Sequence, residues 1–134
     1  KDALEEKAKY LGISDRVVFL GLLNRVQIAT VLKYSDVFVF ASENEAMSLV
    51  VLESLYMGVP VVSTDVGDIS YVIKDGKTGY IVDGYDAKQY ANKIKSIIKN
   101  GKIGYEDCCK RMAMNFTPCK MAEQINEVFN ENSN

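Results

Sequence analysis

Two glutamates, Glu45 and Glu53, flank the apolar stretch AMSLVVL and are the side chains best placed for chemistry. The chain contains no histidine, which excludes Ser-His-Asp and Cys-His nucleophile triads and leaves carboxylates, lysines, hydroxyls and backbone dipoles. Glu53 falls inside an apolar helical pattern, where an unpaired buried carboxylate would cost several kcal/mol. We therefore expect Glu53 to have partners, and two vicinal hydroxyls of a sugar ring would suit it. A solvated glutamate on a polar strip with Ser54 is the alternative.

The helix that carries Glu53 is expected to begin at a ligand-binding edge. Ser48 can cap its N-terminus, and the pattern runs to Met57. The first N–H groups, around Leu49 and Val50, stand at the positive end of the helix dipole and suit a phosphate. Glu53 lies five residues beyond Ser48, about 7 to 8 Å further along the axis, which is near the distance from a diphosphate to the far hydroxyls of its ribose. Every helix has such an end, and most bind only water or a cap.

The elements that must position these residues alternate along the chain. Short β-branched runs predict strands buried on both faces of a parallel sheet at residues 17–21, 36–42, 59–65 and 79–83. Helical spacing predicts helices at 2–11, 24–34, 49–57, 86–99 and 118–130, with a break at 100–104. This alternation predicts a Rossmann-like, doubly wound α/β domain of three layers, in which ligands bind at the carboxyl ends of the strands.

Composition narrows the class of protein. The 134 residues suit one domain, and a net charge of −2 without a basic run argues against nucleic acid as a partner. No apolar stretch reaches ~18 residues and the start resembles a charged helix, so we expect a cytoplasmic chain without a transmembrane segment. The three cysteines have no zinc-like spacing, and we expect reduced thiols and no metal. Because the chain opens on Lys1 inside a helical pattern, we expect a piece of a longer protein.

The segment DGKTG contains the Gly-Lys-Thr of a phosphate-binding P-loop at Gly76, Lys77 and Thr78. The spacing fails, since Tyr71 stands where the first glycine of that motif would be. The segment also leads from a helix into a strand, which is the reverse of a P-loop. We expect a surface turn in which Lys74 and Lys77 are solvated; the alternative is that either lysine lies near a bound substrate.

The ordered set of residues resembles retaining glycosyltransferases of family 4, which have the two-domain GT-B fold. The family pattern S-x-x-E-G-F-G-L-x-x-x-E-A-x-A-x-G-x-P-V-V is matched at Ser42, Glu45, Leu49, Glu53, Gly58, Pro60, Val61 and Val62. A later element, D-G-x-x-G-x-L-V, is matched at Asp75, Gly76, Gly79, Ile81 and Val82. The resemblance covers nearly the whole chain. It implies that residues 1–134 are part of the C-terminal, nucleotide-sugar-binding domain, one half of a GT-B enzyme.

The resemblance also implies roles for single residues. Glu45 would hydrogen-bond hydroxyls of the donor hexose beside the reacting centre and is the catalytic candidate. The other implied contacts are the amides of Met47 and Ser48 to the same hexose, the N–H groups of Leu49 and Val50 to the diphosphate, and Glu53 to the ribose.

The implied reaction moves a hexose from a UDP or GDP sugar to a saccharide or lipid-linked acceptor with retention. The leaving diphosphate would help to deprotonate the acceptor, so neither a metal nor a cofactor is implied. The family's diphosphate-neutralising Arg and Lys lie earlier in the chain, and its acceptor-side loop lies in an N-terminal domain. The fragment alone would be inactive, and the full enzyme could sit peripherally at the inner membrane face. A non-catalytic nucleotide-sugar-binding module and a GT-B epimerase or phosphorylase are the alternatives.

The last helical pattern carries an apolar stripe at Met121, Ile125, Val128 and Phe129. It resembles the final helix of GT-B enzymes, which crosses back to the first domain. We expect the stripe to be incompletely covered within one chain and to mediate weak self-association; completion of the local core is the alternative.

Overall fold

The computed structural model describes residues 1–46 and 48–123. A parallel sheet with strand order β1-β2-β3 is surrounded by helices, which confirms the predicted α/β class. The elements are α1 Asp2–Tyr10, a short 3-10 turn Ser14–Arg16, α2 Arg25–Lys33, β1 Phe38–Phe40, α3 Leu49–Tyr56, β2 Val61–Thr64, α4 Ile69–Val72, β3 Gly79–Val82, α5 Ala87–Asn100 and α6 Ile103–Met114. In these described segments, every helix is too short or too polar to span a bilayer.

The middle strand β2 holds the core together. All four of its residues are buried, and it pairs with β1 on one side and β3 on the other, with Val61 opposite both Phe38 and Gly79. Helices α3 and α6 pack against each other, while α5 packs on β2 and β3. The carboxyl ends of all three strands therefore meet at one edge, as the sequence predicts.

The strand predicted at residues 17–21 is wrong for this chain. Residues 17–20 have no regular structure, and Val18 is 78% exposed. A strand needs a neighbour for its N–H and C=O groups, and no described strand lies beside this segment.

The burial predicted for β1 is also wrong, because β1 lies at the edge of the described sheet. Its only described neighbour is β2, and Val39 at its centre remains 45% exposed, although burial on both faces was predicted. Phe38 and Phe40 alternate with Val39 and stack at 6.1 Å between ring centroids. One edge of β1 and one of its faces are therefore open in the described part of the chain.

Helix α6 was not predicted, because Gly104 in its first turn belongs to the break in the helical pattern at 100–104. Gly101 ends α5, and the chain turns at once into a second helix whose buried side chains are Tyr105, Cys109 and Ala113. Their spacing of four places all three on one face. Burial raises the pKa of the Cys109 thiol from 9.0 to about 12, so this thiol stays protonated and unreactive.

The final helical pattern is described only in part. Residues 118–123 are helical, which agrees with the start predicted for this helix, and Met121 is half exposed. Ile125, Val128 and Phe129 lie outside the described residues. Incomplete covering of the stripe remains a prediction.

Candidate functional site

The loop after β1 is tied to the neighbouring strand ends. The carbonyl of Ser42 accepts hydrogen bonds from Thr64 Oγ1 at 3.0 Å and from the Tyr85 hydroxyl at 3.2 Å. Two residues before Ser42, the carbonyl of Phe40 accepts a hydrogen bond from the Tyr90 hydroxyl at 3.1 Å. Burial raises the pKa of both tyrosines, so their hydroxyls keep the protons that these bonds require.

A second loop, after β2, supports the backbone at Glu45. The N–H of Asp68 donates to the carbonyl of Ala46 at 2.7 Å. Gly67 lies so close that a Cβ atom on it would stand 2.0 Å from the Glu45 carbonyl oxygen and 2.3 Å from that of Ala46. Only glycine fits this contact, and the backbone of Glu45 therefore has a defined position.

The Glu45 side chain itself is exposed. Among the described residues its carboxylate makes one long contact, since Ser42 Oγ donates to Glu45 Oε1 at 3.5 Å while also donating to the Asn44 carbonyl at 3.4 Å. The carboxylate is therefore free to accept hydroxyls at the carboxyl edge of the sheet.

The N-terminus of α3 is where the sequence predicts it, but its cap differs. Ser48 occupies the N-cap position and is buried, and its side chain makes no capping hydrogen bond in the described structure. The amides of Leu49 and Val50 have no acceptor within their own helix. Their N–H groups are available to a ligand. Met47 lies outside the described residues, and its predicted contact stays a prediction.

Helix α3 is buried on one face only, which corrects the expectation that it is enclosed all round. Val51 and Leu55 are fully buried, whereas Leu49 is 73% exposed. Ser54 is also buried and donates to the carbonyl of Val59 at 3.1 Å, so it does not form a polar strip with Glu53.

Glu53 lies on the open face of α3. Its carboxylate is exposed and makes no hydrogen bond or ion pair with another residue that the structure describes. The burial cost that predicted partners for Glu53 therefore does not arise within residues 1–46 and 48–123. The carboxylate is instead an unengaged acceptor.

A groove of about 500 Å³ runs along this open face between α2, α3 and the turn that follows α6. Leu49, Leu52, Glu53 and Tyr56 line it from α3, Arg25 from α2, and Phe116 from the turn. The walls are mainly apolar, and Arg25 and Glu53 are their charged residues. Such a lining suits a flat organic group that carries a few polar atoms.

The structure brings some predicted residues together and leaves another apart. Leu49 and Glu53 share the groove because residues four apart lie on the same face of a helix. Glu45 is not among the residues that line the groove; it lies on the loop beyond the end of β1.

No pattern in the sequence indicates Arg25 as a site residue. The structure places it in the first position of α2, directly after Asn24, which forms a capping box with Gln27. The side chain lines the same groove as Glu53 without forming an ion pair with it. The capping signature Asn24-x-x-Gln27 would have located this helix start, although not the groove that it faces.

The loops at the carboxyl edge of the sheet are strongly acidic. They contain six carboxylates and no lysine or arginine; the carboxylates are Glu43, Glu45, Asp65, Asp68, Asp83 and Asp86. In the described residues these groups do not form a cluster suited to a metal ion. An anionic ligand at this edge therefore needs cations or helix amides to offset the repulsion.

Known proteins resemble this chain in sequence. The family model described as "Glycosyl transferases group 1" matches residues 1–115. A D-inositol 3-phosphate glycosyltransferase from Mycobacterium sp. (strain KMS) is 37% identical over 100 residues, which are 75% of this chain and 23% of the relative. The enzyme of that name from Corynebacterium urealyticum is 30% identical over 128 residues, 94% of this chain and 30% of the relative. The chain thus spans less than a third of these two relatives.

Solved structures share the fold at lower identity. Anabaena Alr3699/HepE in complex with UDP superposes with a TM-score of 0.81 at 24% identity, over 97% of this chain and 36% of that one. Sucrose-phosphate synthase from Thermosynechococcus elongatus has a TM-score of 0.77 at 23% identity, over 96% of this chain and 33% of that one. The predicted Rossmann-like fold, one half of a GT-B architecture, is confirmed by these likenesses.

The match to the family model extends over most of the chain and includes the loop of Glu45, helix α3 and the turn before β3. The chain belongs to the family of group 1 glycosyl transferases.

Proposed function

We propose that this chain is the donor-binding part of a retaining family 4 glycosyltransferase, which moves a hexose from a nucleotide sugar to a saccharide or lipid-linked acceptor. The observation that carries the proposal is the placement of Glu53. It stands as an unengaged carboxylate in a groove that begins at the free N-terminus of α3. In a nucleoside diphosphate, the anionic diphosphate is followed by the ribose hydroxyls. The helix N-terminus and Glu53 follow each other along the groove in the same order.

The diphosphate is assigned to the first turn of α3. The N–H groups of Leu49 and Val50 have no intrahelical acceptor, and the helix dipole favours an anion there. The acidic loops beside them oppose this binding. The intact protein must therefore supply further cations, which we assign to the part of the protein outside this chain. Arg25 is the cation that this chain itself places in the groove.

The ribose is assigned to Glu53. The carboxylate lies about 6 Å along the helix axis from Leu49, at four residues of about 1.5 Å each. It accepts the two vicinal hydroxyls, and the apolar walls of the groove cover the nucleoside. Relatives support the class of ligand, since the HepE structures are described as complexes with UDP and with UDP-glucose.

The hexose is assigned to Glu45, with the amides of Met47 and Ser48 continuing the contact. The backbone of this loop is held by Gly67 and by the bonds to Ser42, so the carboxylate projects from a fixed base. No enzymic nucleophile is required if the leaving diphosphate takes the proton of the acceptor. The acceptor site and the remaining catalytic groups would come from an N-terminal domain.

Calorimetry with UDP and GDP tests the ribose assignment. Glu53→Gln removes a charged acceptor and should weaken nucleotide binding by about 1 to 3 kcal/mol. Glu43→Gln makes the same change of charge in the loop after β1 and serves as the control, for which we expect an affinity close to that of the parent. Equal affinity of Glu53→Gln and the parent would refute the assignment.

Turnover of the complete protein tests the assignment of Glu45. Glu45→Ala should lower the transfer rate and leave nucleotide affinity nearly unchanged, because the residue contacts the hexose alone. A parallel loss of both quantities would place Glu45 elsewhere. A protein that binds the nucleotide sugar but transfers no sugar would favour the binding module.

A further inference from the structure

A second cavity lies on the opposite side of the sheet from the carboxyl edge. The turn at residues 74–78, which leads into the amino end of β3, forms one wall, and α6 forms the other. The cavity measures about 210 Å³. Lys74 and Lys77 line it from the turn, and Arg111 lines it from α6.

These three cations form no ion pair with another residue that the structure describes. The ion pairs in the described part of the chain involve Lys1, Lys110 and Lys120. Lys74 Nζ donates to the Ser70 carbonyl at 3.0 Å, and Arg111 approaches Cys108 Sγ at 3.6 Å; both acceptors are uncharged. A chain with a net charge of −2 therefore brings three cations to one small cavity, although Asp75 and Asp107 stand near them in sequence.

The backbone around this cavity is well supported. Thr78 is buried, and its Oγ1 accepts from the N–H of Lys74 at 2.7 Å and donates to the Val72 carbonyl at 2.8 Å. The thiol of Cys109 approaches the Thr78 carbonyl at 3.8 Å and joins the turn to α6. The two walls that carry the cations are thus linked through a buried contact.

We propose that this cavity, which we call the basic pocket, binds a phosphoryl group. A phosphate monoester carries close to two negative charges at neutral pH and three acceptor oxygens, which match two ammonium groups and one guanidinium. Guanidinium and ammonium donors form short, charge-assisted bonds to phosphate oxygens. Asn115, which also lines the cavity, adds a neutral donor. The phosphoryl group would belong either to a soluble phosphate ester or to a lipid headgroup, because the chemistry recognised is the same.

The basic pocket is separate from the groove of Glu53. The two have no lining residue in common, although both border the last turn of α6: Met112 and Asn115 line the pocket, whereas Ala113 and Phe116 line the groove. The turn at residues 74–78 precedes β3, whereas the loop of Glu45 follows the parallel strand β1, so the pocket and this loop lie at opposite ends of the strands. Four residues of strand at about 3.3 Å each separate these ends.

Titration of the chain with inorganic phosphate and with glycerol phosphate, followed by NMR of backbone amides, tests this proposal. We expect saturable shifts around residues 74–78 and 108–115. The double variant Lys77→Ala/Arg111→Ala should bind at least about tenfold more weakly, since it loses two charge-assisted bonds. Lys95→Ala/Lys99→Ala removes the same charge from exposed positions on α5 and should bind like the parent.

Two outcomes would overturn the proposal. One is the absence of saturable binding of both probes by the parent; the other is an equal loss of affinity in the two double variants, which would reduce the effect to net charge. Glu53→Gln should leave phosphate binding unchanged, which separates this test from that of the nucleotide groove.

Vesicles identify the source of the phosphoryl group. Phosphatidylcholine vesicles with and without phosphatidic acid are compared for co-sedimentation with the parent and both double variants. Binding that requires phosphatidic acid and is lost only in Lys77→Ala/Arg111→Ala assigns a lipid headgroup. Saturable binding of glycerol phosphate without vesicle binding assigns a soluble ester. Each result supports the basic pocket, whereas lipid binding that persists in this variant contradicts it.

Discussion

Replacing Gly67 by alanine should displace the loop that carries Glu45. The change has two costs. Gly67 has φ 53°, a left-handed conformation that costs an L-residue about 1 to 2 kcal/mol. The new Cβ would also stand 2.0 Å from the Glu45 carbonyl oxygen, whereas real Cβ contacts are not closer than 3.0 Å, so the loop must move by about 1 Å. A misplacement of this size can lower turnover about 100-fold.

Comparison with Gly84→Ala separates the steric cost of the new Cβ from the conformational cost. Gly84 has φ 60°, and a Cβ at this position meets no atom within 4 Å. Both variants should therefore lose the same conformational free energy, while only Gly67→Ala should shift the loop. The assays are urea unfolding, amide shifts of Glu45 and Ala46 in the chain, and transfer by the complete protein. If the two variants match in stability, amide shifts and turnover, Gly67 does not position Glu45.

Two further predictions concern the core. Because burial raises the pKa of Cys109 from 9.0 to about 12, the unfolded chain releases this proton at lower pH than the folded chain, and the free energy of unfolding should fall as the pH rises above about 9. In urea unfolding, the free energy of unfolding should fall with pH more steeply in the parent than in Cys109→Ala, by up to about 1.4 kcal/mol per pH unit. Parallel pH dependences of the two proteins would contradict this. Tyr90→Phe removes the bond to the Phe40 carbonyl and should cost about 1 kcal/mol in the same assay. Tyr56→Phe, at an exposed position, should leave the free energy of unfolding unchanged. An equal loss of stability in both variants would show that the hydrogen bond of Tyr90 does not contribute.

Local patterns were sufficient for much of the fold. The strands β2 and β3 and the helices α1, α2, α3 and α5 lie within a few residues of the predicted bounds, because β-branched runs and helical spacing are properties of the segments themselves. The edge at which Glu45 lies also follows from the sequence, since it depends only on chain order in a parallel sheet.

The wrong predictions have a common cause: the exposure of a strand or helix depends on which other elements pack beside it. The segment 17–21 has the composition of a strand but no partner to pair with in the described chain. Helix α3 is apolar enough to be enclosed, yet no residue that the structure describes covers its face at Leu49 and Glu53. The acidic carboxyl edge and the basic pocket arise from loops and helices far apart in sequence, so no window along the chain reveals them.

The uncovered edge of β1 has a consequence for how the chain behaves in concentrated solution. In the part of the chain that the structure describes, its three residues, Phe38–Phe40, have unpaired backbone groups on one edge, beside aromatic and β-branched side chains. The strand contains no charge or proline that would block pairing. A strand edge of this kind is a template for intermolecular β-structure. Two chains that meet at their β1 edges can pair these strands and join their sheets. Handled alone, the chain therefore carries an aggregation nucleus in β1, and a lysine at the exposed Val39 is the simplest way to block it.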